Sequence, residues 1–177
     1  MKSKIISISA IASAFIAICL TVGAYFEVVD LFAVVISSIF VMLPLYLNSY
    51  KGSVLCYLAG GLIAFLCSGF NVLSIVFISY FAFCGLYPIV KCKMIDKNFS
   101  KKLNVLIGLI WCVAVFYGVY FYYVYVANGI FDGLPSWIID YVIYLVSVIG
   151  VIFFFTYDRF VLTMRIFLNR YLSRIIK

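Results

Sequence analysis

The sequence predicts an all-α polytopic membrane protein of six transmembrane helices, and three observations carry that reading. The 177-residue chain is 68% apolar and 11% charged, with a mean hydropathy of +1.25, too little polar material to cover a water-facing surface. Six apolar stretches, at 5–26, 28–47, 54–68, 72–90, 103–127 and 137–157, are separated by short polar breaks, and about 20 residues of helix cross a hydrocarbon core about 30 Å thick. Threading these stretches back and forth places all 13 Lys and Arg residues on one side: Lys2 and Lys4, Lys51, then Lys91 to Lys102, then Arg159 to Lys177. The opposite side receives Glu27, Asp30, Asp132 and Asp140. Basic residues concentrate in cytoplasmic segments, so both termini are expected in the cytoplasm of a multi-pass cell-membrane protein. The whole of 1–177 reads as one integral membrane domain.

Each span has its own signature. The first carries Ser9, Ala10, Ser13, Ala14 and Ala17, and small residues four apart share a helical face that lets another backbone approach closely. That face serves either packing inside the bundle or docking of another subunit. Met1 to Lys4 followed by an apolar run and Val22-Gly23-Ala24 also imitates a cleaved signal peptide, although the run is long for one. Glu27 and Asp30 bracket the first external turn, where water solvates carboxylates that would be costly at mid-bilayer. Pro44 falls near the cytoplasmic end of span two and is expected to loosen its last turn.

Span three reads as about fifteen residues, or some 22 Å at 1.5 Å per residue, too short to cross comfortably. Gly60, Gly61 and Ala64 let neighbours press against it, and Ser68-Gly69-Phe70-Asn71 is expected to end it below the outer surface, leaving a recess that opens outward. Span four ends at Gly85-Leu86-Tyr87-Pro88, and 91–102 reads as the largest cytoplasmic loop, either lying on anionic headgroups or contacting a partner. Span five ends in a run of Tyr and Phe. This is either an interfacial belt or, through Tyr117, Tyr120, Phe121 and Val124 on one face, the hydroxyl-bearing wall of a pocket. The 128–137 loop, rich in Gly and Pro, is placed to roof a recess, and Asp140 lies one turn inside span six. After Asp158, the 159–177 tail separates into a basic arc and an apolar arc at 100° per residue, which predicts an amphipathic helix in the cytoplasmic headgroup plane.

The missing chemistry narrows the function. There is no histidine, no phosphate-cradling P-loop and no helical pair of carboxylates inside a span. A Ser or Cys nucleophile therefore has no obvious base, and no catalytic residue, cofactor or metal is expected. The cysteines at 19, 56, 67, 84, 92 and 112 form no CxxC pair. The net charge of +7 is explained by membrane orientation and anionic lipid rather than nucleic acid.

The six helices with both ends inside, Ala10-x-x-x-Ala14 in helix one, the small-residue helix three, the Gly85-Leu86-Tyr87-Pro88 exit and Phe154-Phe155-Thr156-Tyr157-Asp158-Arg159 before a basic tail together resemble the substrate-binding S component of energy-coupling factor (ECF) transporters. The resemblance implies a non-enzymatic subunit that captures a small micronutrient-like solute from outside. It also implies a separate transmembrane coupling subunit docking on Ala10 and Ala14, and ATPase subunits that power import. Toward the external side, the candidate ligand residues are Asn71, Tyr117, Tyr120, Asp132, Trp137 and Asp140. The acidic outer surface favours a cationic or polar neutral solute, and no motif identifies it. The alternative is a structural or regulatory scaffold resembling the rod-shape protein MreD.

Overall fold

A computed structural model describes residues 2–47, 49–69, 74–125 and 136–175 of the chain. Every regular element among them is helical: α1 (Lys2–Tyr25), α2 (Asp30–Tyr46), α3 (Tyr50–Cys67), α4 (Ile75–Ser79), a π turn (Tyr80–Cys84), α5 (Tyr87–Asp96), α6 (Lys101–Tyr125) and α7 (Ser136–Ile175). Five segments are long and apolar enough to cross a membrane, and α2 is a shorter apolar helix, in keeping with a multi-pass membrane protein. Leu47 and Ser49 between α2 and α3, and residues 97–100 between α5 and α6, lie at one end of the bundle, the lysine end, where Tyr50 bonds to Asp96, and 26–29 lies at the other.

α1 packs mainly on α2 and α3, and α6 packs on α7. The α4–π–α5 segment runs between these groups and is the most buried of the candidate spans. Its core face, Val76, Phe77, Tyr80, Phe83, Cys84 and Tyr87, follows the three-and-four spacing of one helical stripe. The segment does not run as one helix. Gly85 N donates to Tyr80 O at 2.9 Å, closing the π turn, and Pro88 then sits in the first turn of α5, where its missing N–H removes no intrahelical bond. In α2 the buried hydroxyls of Ser37 and Ser38 bond to Ala33 O and Val35 O in the preceding turn, so neither hydroxyl is left bare.

Three expectations change. Span three is longer than its apolar core: Ser49 Oγ accepts from Gly52 N at 3.1 Å, and this cap starts the helix at Tyr50. Eighteen residues reach about 27 Å, which removes most of the shortfall. The segment from Lys91 to Asp96 is helix rather than loop, with Lys91 inside the bundle. The basic tail is not a separate helix, because α7 is a single 40-residue helix, about 60 Å long. No Gly or Pro after Gly150 breaks it. Val161 is buried and Phe160, Met164 and Leu168 pack on the core, so these turns of the tail belong to the bundle.

Candidate functional site

Away from the lysine end, α2, α4, α6 and α7 diverge around a cavity of about 170 Å³. Leu31 and Val34 come from α2, Ile75 and Ser79 from α4, Phe83 and Cys84 from the π turn, Val115, Phe116 and Val119 from α6, and Ile149 and Phe153 from α7. Val34, Phe83 and Cys84 are buried at its depth, whereas Leu31 and Ile149 are exposed. Ser79 carries the only hydroxyl in the lining. An apolar occupant would bury its surface against this lining.

The π turn beside the cavity is of the kind that recurs at functional sites, and it connects the cavity to an aromatic cluster. Phe83 stacks on Tyr87 at 4.9 Å, meets Trp111 edge-on at 5.9 Å and contacts Tyr157 at 5.7 Å between ring centroids. Tyr157 Oη donates to Cys84 O at 2.8 Å, tying α7 to the cavity wall.

Beyond the rings lies a buried ion pair. Lys91 Nζ donates to Asp158 Oδ1 at 2.6 Å, and Tyr87 Oη donates to the same oxygen. The ammonium also lies 5.9 Å from the Tyr87 ring centroid, within cation–π range. From Phe83 through Tyr87 to Asp158, direct contacts thus join the cavity to the charged pair. Sequence reasoning missed this pair, although Tyr87 and Lys91 lie four residues apart on one helical face.

The sequence candidates are placed differently. Tyr117 Oη is 2.5 Å from Ser147 Oγ on α7, a bond between helices, and Tyr120 is buried. Neither lines the cavity, which takes Phe116 and Val119 from α6 instead. Asn71 and Asp132 lie outside the described residues, as do the side chains of Trp137 and Asp140. The cavity is also not beside α3, which contributes no lining residue. A recess due to a short third span is therefore replaced by one framed by α4 and its π turn.

Ala10 and Ala14 are exposed on α1, while Ala12, Ile16, Ala17 and Leu20 form its buried face. With Ser13, Ala17, Ile63 and Cys67 the two alanines line an open apolar groove of about 600 Å³. Among the described residues, no group of three or more His, Cys, Asp or Glu could hold a metal ion. Comparisons with protein-family models, curated proteins and solved structures found no match.

Proposed function

We propose that this chain is the membrane-embedded substrate-binding subunit of an ECF-type importer in the cell membrane, with both termini cytoplasmic. It captures a small solute in the cavity between α2, α4, α6 and α7 and depends on separate coupling and ATPase subunits to move it. The observation that carries this reading is the 170 Å³ cavity at the end away from the lysines, which the assigned orientation makes the outer end. Its lining favours an uncharged solute with an apolar body, held by exclusion of water and oriented by Ser79. That moves the solute class away from the cationic one suggested by the acidic surface. The exposed Ala10 and Ala14 groove supports docking of a coupling subunit, since small residues admit another helix backbone.

Trp111, in contact with Phe83 on the cavity floor, provides the test. In detergent-purified protein, titration with uncharged heteroaromatic and aliphatic micronutrient-type solutes should give a saturable change in tryptophan emission for one of them. Val119→Phe, which fills the cavity, should abolish the change while leaving the unfolding temperature within a few degrees. Absence of any saturable binder across such a panel rejects the reading.

A further inference from the structure

At the lysine end, a second cavity of about 140 Å³ is lined by Met42, Leu45 and Tyr46 of α2, Tyr50 of α3, Cys92 and Asp96 of α5, and Arg165, Leu168 and Asn169 of α7. We propose that it binds a phosphate-bearing anion. This site is separate from the solute cavity and does not depend on the transport reading.

The first argument concerns unmet donors. Arg165 Nη2 donates to Asp96 Oδ1 at 2.5 Å, but Arg165 Nη1 is buried and has no hydrogen-bond partner among the described residues. A guanidinium nitrogen only donates, and a buried donor without an acceptor points to a missing ion or water. Tyr46 and Asn169 line the same cavity, and a hydroxyl and an amide can both donate. Three side chains from two helices therefore bring donors to this space.

The second argument decides the sign of the ligand. The only carboxylate in the lining is already engaged: Asp96 Oδ2 accepts from Tyr50 Oη and Oδ1 accepts from Arg165. What remains at Arg165 is donor capacity alone, which selects an acceptor. The chain also places a cation directly after three of the five polar lining positions: Lys51 after Tyr50, Lys97 after Asp96 and Arg170 after Asn169. Lys93 follows Cys92 in the same way. These cations raise the positive potential around the cavity, and a tetrahedral phosphate accepts from a guanidinium fork and from neutral donors together. The shared chemistry is a phosphate group, supplied by either a phospholipid headgroup or soluble phosphate.

The test uses the full chain in detergent and reads apparent affinity from the ligand-induced rise in unfolding temperature. Dioctanoyl phosphatidylglycerol is compared with dioctanoylglycerol, and sodium phosphate with sodium chloride at equal ionic strength. The expected result is stabilisation by at least one phosphate species over its phosphate-free control, weakening as salt is raised. The double variant Tyr46→Phe with Asn169→Ala should weaken it by about tenfold, as expected for two lost hydrogen bonds. Neither residue belongs to an ion pair, so the fold should persist. Arg165→Lys should also weaken binding, because it keeps the charge and loses the fork. A response to phosphatidylglycerol alone assigns the site to a headgroup; an equal, variant-sensitive response to sodium phosphate assigns it to soluble phosphate. The proposal is overturned if neither species stabilises beyond its control, which leaves water in the cavity. It is equally overturned if wild type and the double variant respond alike, which assigns binding to the basic surface at large.

Discussion

Lys91 and Asp158 meet at 2.6 Å with side chains only 5% and 9% exposed, a full ion pair within a bundle of apolar helices. The pair does not stand alone. Asp96 and Arg165, five and seven residues further along α5 and α7, repeat the bridge with the charges exchanged between helices. Because both helices advance in the same direction from the first bridge to the second, α5 and α7 run parallel.

Removing one member of the inner pair strands the other in a low-dielectric site, which costs about 3–5 kcal/mol when such pairs are broken. Lys91→Met and Asp158→Asn are each expected to destabilise the detergent-solubilised protein by about that amount. The double variant should recover much of the loss, since neither charge is then left unpaired. Thermal unfolding of all four proteins closes the cycle. Single variants costing less than about 1 kcal/mol would show that water or lipid headgroups reach these groups.

The same pair shows where the sequence was legible and where it was not. Apolar run lengths revealed the helical, membrane-spanning character, and the first, second, third and fifth spans reappear within a few residues of their predicted bounds, whereas the fourth and sixth continue beyond theirs to Asp96 and Ile175. Run length failed wherever polar residues serve inside a helix. Lys51, Gly52 and Ser53 read as a loop, yet they form the first turn of α3 under the Ser49 cap. Lys91 read as a headgroup contact because its partner, Asp158, lies 67 residues away. Tyr117 and Tyr120 left a belt and a pocket wall both open, because a hydroxyl satisfied by Ser147 has the same sequence signature as one awaiting a ligand. The cavity is lined by ordinary Val, Ile, Leu and Phe residues. Its walls come from four segments far apart in the chain, a juxtaposition that no local pattern records.

Gly60 lies where α1 presses closely on α3. A Cβ there would meet Ile16 Cβ and Cγ2 at 2.7 Å and the backbone oxygen of Ser13 at 3.0 Å, whereas a Cβ on Gly118 would meet nothing within 4 Å. Gly60→Ala must push the two helices apart and is expected to cost about 1–3 kcal/mol. Gly118→Ala should be neutral or stabilising by up to about 1 kcal/mol through helix propensity. The opposite signs are the test, read from unfolding temperatures in one detergent. Equal effects would mean that helix propensity rather than contact governs both positions.

The exposed Ala10 and Ala14 groove gives a separate prediction for the transport reading. Ala10→Trp and Ala14→Trp place bulk where another helix would lie and touch none of the cavity lining. Both should abolish assembly with the coupling subunit and uptake, while Trp111-reported binding by the isolated chain stays within about twofold of wild type. For that measurement the introduced indole is replaced by Phe, which keeps the bulk without adding a fluorophore. Variants that assemble and transport normally would remove the docking role from this face.

The parallel course of α5 and α7 also fixes what labelling must find. Lys97 directly follows Asp96, and Arg170 lies five residues beyond Arg165, so the two bridges hold both positions at the same end of the bundle. Val28, in the connection between α1 and α2, is 98% exposed at the other end. With Cys19 and Cys67 replaced by Ala, the other four cysteines are buried, and single cysteines introduced at 28, 97 and 170 become the reactive positions. In intact cells an impermeant maleimide should modify position 28 and spare 97 and 170, and permeabilisation should expose the latter two together. Joint labelling of 97 and 170 from outside, with 28 protected, would keep the fold and invert the orientation. That result would place the apolar cavity on the cytoplasmic side and end the case for capture from outside.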